Sequence, residues 1–433
     1  MSKFNQTQVE REQVYKKVLK KINPNSKESS ELNKLVKNVL TKLNKNLSKF
    51  YAQAIVGGST AKNTWLSNNK EVDIFVQFDY VKYKYKSDYI SELLQEVLKQ
   101  TFKEKIERVH GSRDYFQVKL NKITFEFVPI LNIKNASQAI NITDVSPLHA
   151  EWVNKSTEKI KDEIKLAKRF CKANKLYGAE SYLSAFSGYV LEILVVNYGS
   201  FDNLLQESIK WKDKTVIDIE NYHKTKHMVM FNLNNSKLNS PLVVVDPVDK
   251  NRNAAAAFSK GKFNLFKKIA KKFLEFPDET YFETKELKYS KLLKLVEERK
   301  GYLCYFELEA IDNKRDVAGA KLLKVYDYVN KKLNDYKILS SDWDWKQGEN
   351  AKFYFIVKKK KLPVYQLRKG PPLEFKEHVK QFKEINLENY DKEGFVYAKI
   401  KVDYPKLDDF ITNILKNNYL KDKYSQLGKV KFN

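Results

Sequence analysis

A chain of 433 residues with 42% hydrophobic and 13% aromatic content has room for several packed cores, and two to four domains are expected at roughly 100–200 residues each. Lysine and arginine number 80 against 54 acidic residues, a formal net charge of +26, which argues against a neutral partner and for a polyanion such as nucleic acid. No secretory signal, membrane span or disulfide framework is expected. The first residues are polar, the most apolar run (186–198) is interrupted by Glu192 and falls short of the roughly 20 residues a bilayer requires, and Cys171 and Cys304 lie far apart.

In chain order, residues 6–22 and 31–50 read as helices, since apolar side chains recur every three or four positions, as at Leu32, Leu35, Val36, Val39, Leu40 and Leu43. A Gly57-Gly58-Ser59-Thr60 turn and a short helix-compatible run to Trp65 precede residues 71–78, whose alternation and β-forming residues predict a strand. A helix over 87–101 leads to strands at 114–120 and 123–130, which Asn121-Lys122 would join as a hairpin. These elements predict a first domain, residues 1–145, with a mixed sheet and helices. Residues 146–276 read as a helical central domain: a long helix over 160–173, a break at Tyr177-Gly178-Ala179, and an apolar helix beginning near Ser181. In 277–382, strands at 302–308 and 353–358 flank a helix over 319–333, an α+β unit. The segment 383–433, with a helix near 406–418, is expected to pack back on the central domain. The fold class is therefore α+β and multidomain.

The chemistry concentrates in Glu71-Val72-Asp73-Ile74-Phe75. Two carboxylates two apart on a strand project from one face, with Val72 and Ile74 on the other. Such a pair repels itself unless a cation lies between, and Mg²⁺, an oxygen-seeking ion that leaves positions for substrate phosphates, fits. On the hairpin strand, Glu126 faces away from Ile123, Phe125 and Phe127 and supplies a third acid for a two-metal site, with Mn²⁺ a possible substitute. Upstream, the backbone of Gly58-Ser59 offers a cradle for a triphosphate, with Lys62 adding charge. His223 and His227 stand four apart without an accompanying acid or thiol set, so zinc is not expected.

The runs Gly58-Ser59-Thr60-Ala61-Lys62-Asn63-Thr64-Trp65 and Glu71-Val72-Asp73-Ile74-Phe75 resemble the signature of archaeal-type (class I) CCA-adding tRNA nucleotidyltransferases, of the polymerase β-like nucleotidyltransferase superfamily. The resemblance continues through Ser146-Pro147-Leu148-His149-Ala150-Glu151-Trp152, Lys172-Ala173-Asn174, Tyr177-Gly178-Ala179-Glu180 and Phe186-Ser187-Gly188-Tyr189. It extends to Tyr198-Gly199-Ser200-Phe201, Val245-Asp246-Pro247-Val248-Asp249, Arg252-Asn253 and, more faintly, Arg368-Lys369-Gly370-Pro371, so it covers nearly the whole chain. It implies a polymerase β-like nucleotidyltransferase head, and template-independent addition of C, C and A to the 3′ end of tRNA from CTP and ATP. By the same resemblance Glu71, Asp73 and Glu126 are metal ligands, Ser59, Lys168 and Tyr177 triphosphate contacts, and His149 and Arg252 part of the nucleotide site. This chain departs from the family pattern in carrying Glu126 for Asp, Lys62 for Arg and Val145 for Arg.

Several single residues admit a second role. An intramolecular ion pair to Asp246 or Asp249 competes for Arg252, and packing competes for His149 and Tyr177. Lys358, Lys359, Lys360 and Lys361 form either a solvated edge or, with Tyr365 and Arg368, a basic track with aromatic platforms for the tRNA acceptor stem. A poly(A) polymerase, an oligoadenylate synthetase and a catalytically inactive RNA-binding relative are the alternative functions. The expected location is the cytoplasm, with no membrane contact, and the oligomeric state is open, a homodimer included.

Overall fold

The two opening helices form where the apolar spacing predicts them, yet they serve different cores. In the computed structural model, which describes residues 3–69, 71–233, 238–284, 287–311 and 314–433, the chain divides into two compact units, 1–285 and 286–433. Helix α1 (Lys3–Ile22) contributes Tyr15, Val18 and Ile22 to a core built mainly by residues 153–282. Helix α2 (Ser26–Leu47), capped by Asn25 accepting the Glu28 N–H at 2.8 Å, buries Leu32, Val36, Val39, Leu43 and Leu47 against the head sheet instead. The expected head of residues 1–145 thus lends its first helix to the central core.

The head sheet is built from β1 (Ala52–Val56), β2 (Glu71–Asp79), β3 (Ile106–Val109), β4 (Tyr115–Leu120) and β5 (Ile123–Asn132), in the order β1-β2-β5-β4-β3. Only β2 and β5 run parallel among these pairs. One turn of helix, α3 (Gly58–Ala61), lies between β1 and β2, while α4 (Tyr80–Tyr83) and α5 (Ile90–Thr101) follow β2. Val72, Ile74, Val76 and Phe78 alternate onto the face that packs with Phe116, Phe125, Phe127 and the Leu93–Leu98 side of α5. Asn121 and Lys122 both adopt positive φ, 47° and 68°, the left-handed pair that a two-residue hairpin turn requires, and they set the register Leu120↔Ile123.

The central part follows with α6 (Ser146–Asn154), α7 (Glu158–Ala173), α8 (Gly188–Tyr198) and α9 (Phe201–Ser208), then β6 (Thr215–Ile217), α10 (Lys226–Asn232), β7 (Leu242–Asp246), β8 (Asp249–Asn253) and α11 (Lys260–Glu275). Two expectations are corrected here. The central part is not purely helical: β6, β7 and β8 form a small sheet, and the buried run Leu242-Val243-Val244-Val245 is a short apolar, β-branched stretch of the kind that fills a covered strand. The apolar helix begins at Gly188 rather than near Ser181, because residues 177–186 fold back on themselves through a Tyr177↔Phe186 bridge and Ser187 caps α8 by accepting the Val190 N–H.

The second unit comprises α12 (Tyr289–Arg299), β9 (Tyr302–Glu309), α13 (Arg315–Lys332), β10 (Ile338–Asp344), β11 (Ala351–Val357), β12 (Tyr365–Pro372), α14 (Lys376–Ile385), β13 (Asn389–Lys392), β14 (Phe395–Lys401), α15 (Leu407–Leu415) and β15 (Gln426–Phe432). One sheet runs β10-β11-β9-β15, and a second runs β12-β14-β13. The segment 383–433, expected to pack on the central domain, is woven into this unit. β15 pairs antiparallel with β9, and Leu407, Ile411 and Leu415 of α15 share a core with Phe306, Phe353 and Phe355.

Candidate active site

The turn before β2 is fitted to the acid pair that follows it. The Gly57 N–H donates to the Asp73 carbonyl at 2.8 Å, which folds the turn over the strand. Gly58 has φ +54°, and a Cβ placed there would lie 1.6 Å from Asp73 Oδ2, so any other residue would carry backbone strain and drive the Asp73 carboxylate from its place. Glu71 is exposed and Asp73 half-buried on the same face, above the fully buried Val72 and Ile74. Burial pushes the Asp73 carboxyl above its usual range; Glu71 adds to this, while Lys62 and Lys168 oppose it.

Glu126 stands beside this pair: in the parallel β2–β5 register it is the direct partner of Asp73, so the two side chains leave the sheet on the same face. Its neighbours Phe125 and Phe127 are fully buried, as the alternation predicts. The Gln117 amide on β4 donates to Glu126 Oε1 at 2.6 Å. Among the described residues no group of three or more His, Cys, Asp or Glu side chains is gathered tightly enough to hold a metal ion. The backbone therefore aligns the three acids without drawing their carboxylates together.

Ser59 and, from far later in the sequence, Lys168 and Tyr177 line one cleft of about 460 Å³, together with Thr64, Arg169 and Lys172. The Lys172 ammonium lies 4.8 Å from the Tyr177 ring centroid. Tyr177 reaches its place because Gly188 opens α8 without a side chain: a Cβ there would come within 2.8 Å of the Tyr177 hydroxyl. Lys168 is buried and donates to Thr64 Oγ1 and to Glu192 Oε1, both at 2.7 Å. Lys62 turns to the other oxygen of the same carboxylate, Glu192 Oε2, at 2.6 Å. Burial lowers the Lys168 ammonium to about 8 despite Glu192; burial would raise Glu192, but the two lysines hold its carboxyl down at about 2.

His149 and Arg252 come together elsewhere, around the fully buried Asp246. His149 Nε2 lies 3.2 Å from Asp246 Oδ2, the Tyr189 hydroxyl donates to Oδ1 at 3.0 Å, and the Arg252 guanidinium closes an ion pair on Oδ2. The His149 ring stacks on Tyr189 with centroids 3.9 Å apart. Burial lowers the His149 pKa, so the neutral ring carrying its proton on Nε2 is the form that suits this carboxylate. The ion-pair alternative for Arg252 is thus realised, and it holds the guanidinium on a fixed support. The Lys62 ammonium, 5.8 Å from the Tyr189 ring centroid, connects this cluster to the first.

In the second unit Lys358, Lys360, Lys361 and Arg368 are exposed, and Lys359 is partly so. Lysines sit over aromatic rings on this surface, Lys360 at Tyr302 and Lys399 at Tyr365, at 5.7 and 4.4 Å. Arg368 and Lys369 line a groove of about 470 Å³ with Lys332 and Lys401.

From the sequence, Glu192, Thr64 and Tyr189 had no assigned role, and Asp246 figured only as an alternative ion-pair partner of Arg252. Glu192 was visible only as an interruption of an apolar run, which was its signal: a lone acid inside a buried helix needs a partner. Asp246 and Tyr189 lay within recognisable blocks, but nothing in their spacing pointed to each other.

Two family models match the chain: residues 162–283 match the second domain of tRNA nucleotidyltransferase, and residues 10–166 match the Second Messenger Oligonucleotide or Dinucleotide Synthetase domain. A CCA-adding enzyme from Nanoarchaeum equitans is 35% identical over 321 residues, covering 73% of this chain and 76% of that protein. One from Methanocaldococcus jannaschii is 27% identical over 422 residues, covering 94% and 91%. Among solved structures, a cytoplasmic RNA terminal U-transferase is similar with a TM-score of 0.49 and 14% identity, covering 64% of this chain and 99% of that one. No helix among the described residues is long and apolar enough to cross a membrane.

Proposed function

This chain belongs to the family of archaeal-type CCA-adding enzymes, template-independent nucleotidyltransferases that add CCA to tRNA, and from that premise we propose how its own residues divide the reaction. Glu71, Asp73 and Glu126 hold Mg²⁺, a hard cation that matches an all-oxygen donor set, with Mn²⁺ as a substitute. When bound, the ions neutralise charge on the triphosphate and lower the pKa of the attacking hydroxyl. The tRNA 3′ oxygen attacks the α-phosphorus of CTP or ATP, and pyrophosphate leaves. The observation that carries this reading is the fit of Gly58 to Asp73, a turn whose backbone lies so close to the carboxylate that a Cβ would displace it.

Ser59, Lys168 and Tyr177 face the triphosphate across their common cleft, and the backbone of Gly58-Ser59 contributes donors. Lys62 adds its charge from behind that wall, tethered to Glu192. His149 and Arg252, fixed by Asp246, serve the nucleoside end, where a pre-oriented guanidinium discriminates by hydrogen bonds without first losing conformational freedom. Lys358, Lys359, Lys360, Lys361 and Arg368 contact the tRNA away from its 3′ end, through phosphates and shape, because every tRNA must be served. Both cysteines are free and buried, in keeping with a reducing cytoplasm. The test is a pair of variants: Glu126→Gln abolishes incorporation of CMP into tRNA lacking its CCA end, while Glu126→Asp retains it. An unchanged rate in Glu126→Gln removes this residue from the ligand set.

A further inference from the structure

A carboxylate in the middle of an apolar helix is tolerated only when its charge is matched. Glu192 lies between Leu191 and Ile193 on α8, all three fully buried, and its two oxygens are divided among three partners. Oε2 accepts from Lys62 at 2.6 Å; Oε1 accepts from Lys168 at 2.7 Å and from the Thr64 hydroxyl at 3.0 Å. Lys62 and Thr64 come from the segment just after the Gly58-Ser59 turn, whereas Lys168 comes from α7, so one carboxylate ties the phosphate turn to the helical wall of the cleft. Two ammonium groups sharing one carboxylate leave a net positive charge beside the cleft, and Glu192 is the carboxylate that holds both.

We propose that Glu192 is a positioning residue for the nucleoside triphosphate: it fixes Lys168 on the cleft wall and Lys62 behind it, so that their charge meets the phosphates. This rests on the reading of Lys168 as a triphosphate contact. Glu192 need not touch the substrate; it acts through the lysines. The charged and titratable groups acting on Lys168 are Glu192, Lys62, Lys172 and Asp73. Of the two carboxylates, only Glu192 is hydrogen-bonded to it. Because the site sees only the triphosphate tail, the effect is the same for CTP and ATP.

The test uses the full-length protein and measures CTP and ATP binding by calorimetry, alongside kcat and KM on tRNA lacking its terminal CCA. Glu192→Gln, matched in size and uncharged, is expected to weaken binding of both triphosphates by about tenfold or more, the scale of a lost charge-assisted contact. The affinity for tRNA and kcat at saturating triphosphate stay within about threefold, and Glu192→Asp recovers most of the loss. A merely structural residue would not give this split. Lys168→Met is the reference: if it leaves triphosphate affinity unchanged, the reading of the cleft itself fails. If Lys168→Met weakens binding and a folded Glu192→Gln binds both triphosphates like the wild type, the positioning role alone is overturned. Should Glu192→Gln not fold, Thr64→Val removes the hydroxyl that bonds both Lys168 and Glu192 and so loosens their direct contact. A loss of a few-fold in both affinities supports the proposal, and wild-type affinities overturn it.

Discussion

Replacing Gly58 by alanine adds one methyl group at the point where turn and acid pair meet. The new Cβ would stand 1.6 Å from Asp73 Oδ2 and 2.6 Å from its Cγ, whereas real contacts do not fall below about 3 Å, so the carboxylate or the turn must move by more than an ångström. Alanine at φ +54° adds about 1–2 kcal/mol of backbone strain. Misplacement of a reacting group by about 1 Å costs on the order of 10²-fold in rate, so catalysis should suffer far more than folding. We expect Gly58→Ala to lower single-turnover incorporation of labelled CMP by about 100-fold at saturating CTP, with the melting temperature down by only a few degrees. Gly199→Ala is the control: that glycine has φ +77° at the end of α8 with nothing within 4 Å of its Cβ, so it carries the strain without the clash and should leave the rate unchanged. A Gly58→Ala protein that folds and adds CMP within threefold of the wild type would refute the argument that the turn is fitted to Asp73.

Two further outcomes follow from buried carboxylates. Asp144 is fully buried and takes an ion pair from Arg113 as well as the backbone N–H groups of Leu131, Ile140 and Asn141, so Asp144→Ala leaves the buried Arg113 without its carboxylate and should cost about 3–5 kcal/mol in denaturant unfolding. Burial would raise the Asp246 carboxyl, but His149 and Arg252 outweigh it and hold it at about 2, below its ordinary 3.8. Its contribution to stability is therefore present above 3.8 and lost as pH falls through about 2. Asp246→Asn should melt lower at neutral pH and show a shallower fall in melting temperature across that acid window.

The parts of this molecule that were legible in its sequence are those set by local rules. The strand carrying Glu71 and Asp73, the hairpin at Asn121-Lys122 and the placing of Glu126 on the face opposite Phe125 and Phe127 follow from two-residue alternation and turn chemistry, and they are observed. What escaped depended on long-range closure. Helix α1 follows the expected period, but nothing local told that Tyr15 and Val18 would pack beside Phe170 and Phe201. The strand Leu242–Asp246 was hidden because a fully buried strand does not alternate. The register Asp73↔Glu126, the one relation that places the third acid, joins residues 53 apart across a parallel pair that no turn specifies. Glu192 was readable as an anomaly, but its partners Lys62, Thr64 and Lys168 were not.

The most direct test is incorporation on tRNA truncated before each of the three terminal nucleotides, with CTP and ATP supplied singly and together. Two additions from CTP on the fully truncated tRNA, one from ATP on the tRNA ending in CC, and a halt at CCA are expected, all abolished by Asp73→Asn. Long runs of A from ATP alone, indifference to CTP, or full activity in Asp73→Asn would contradict it.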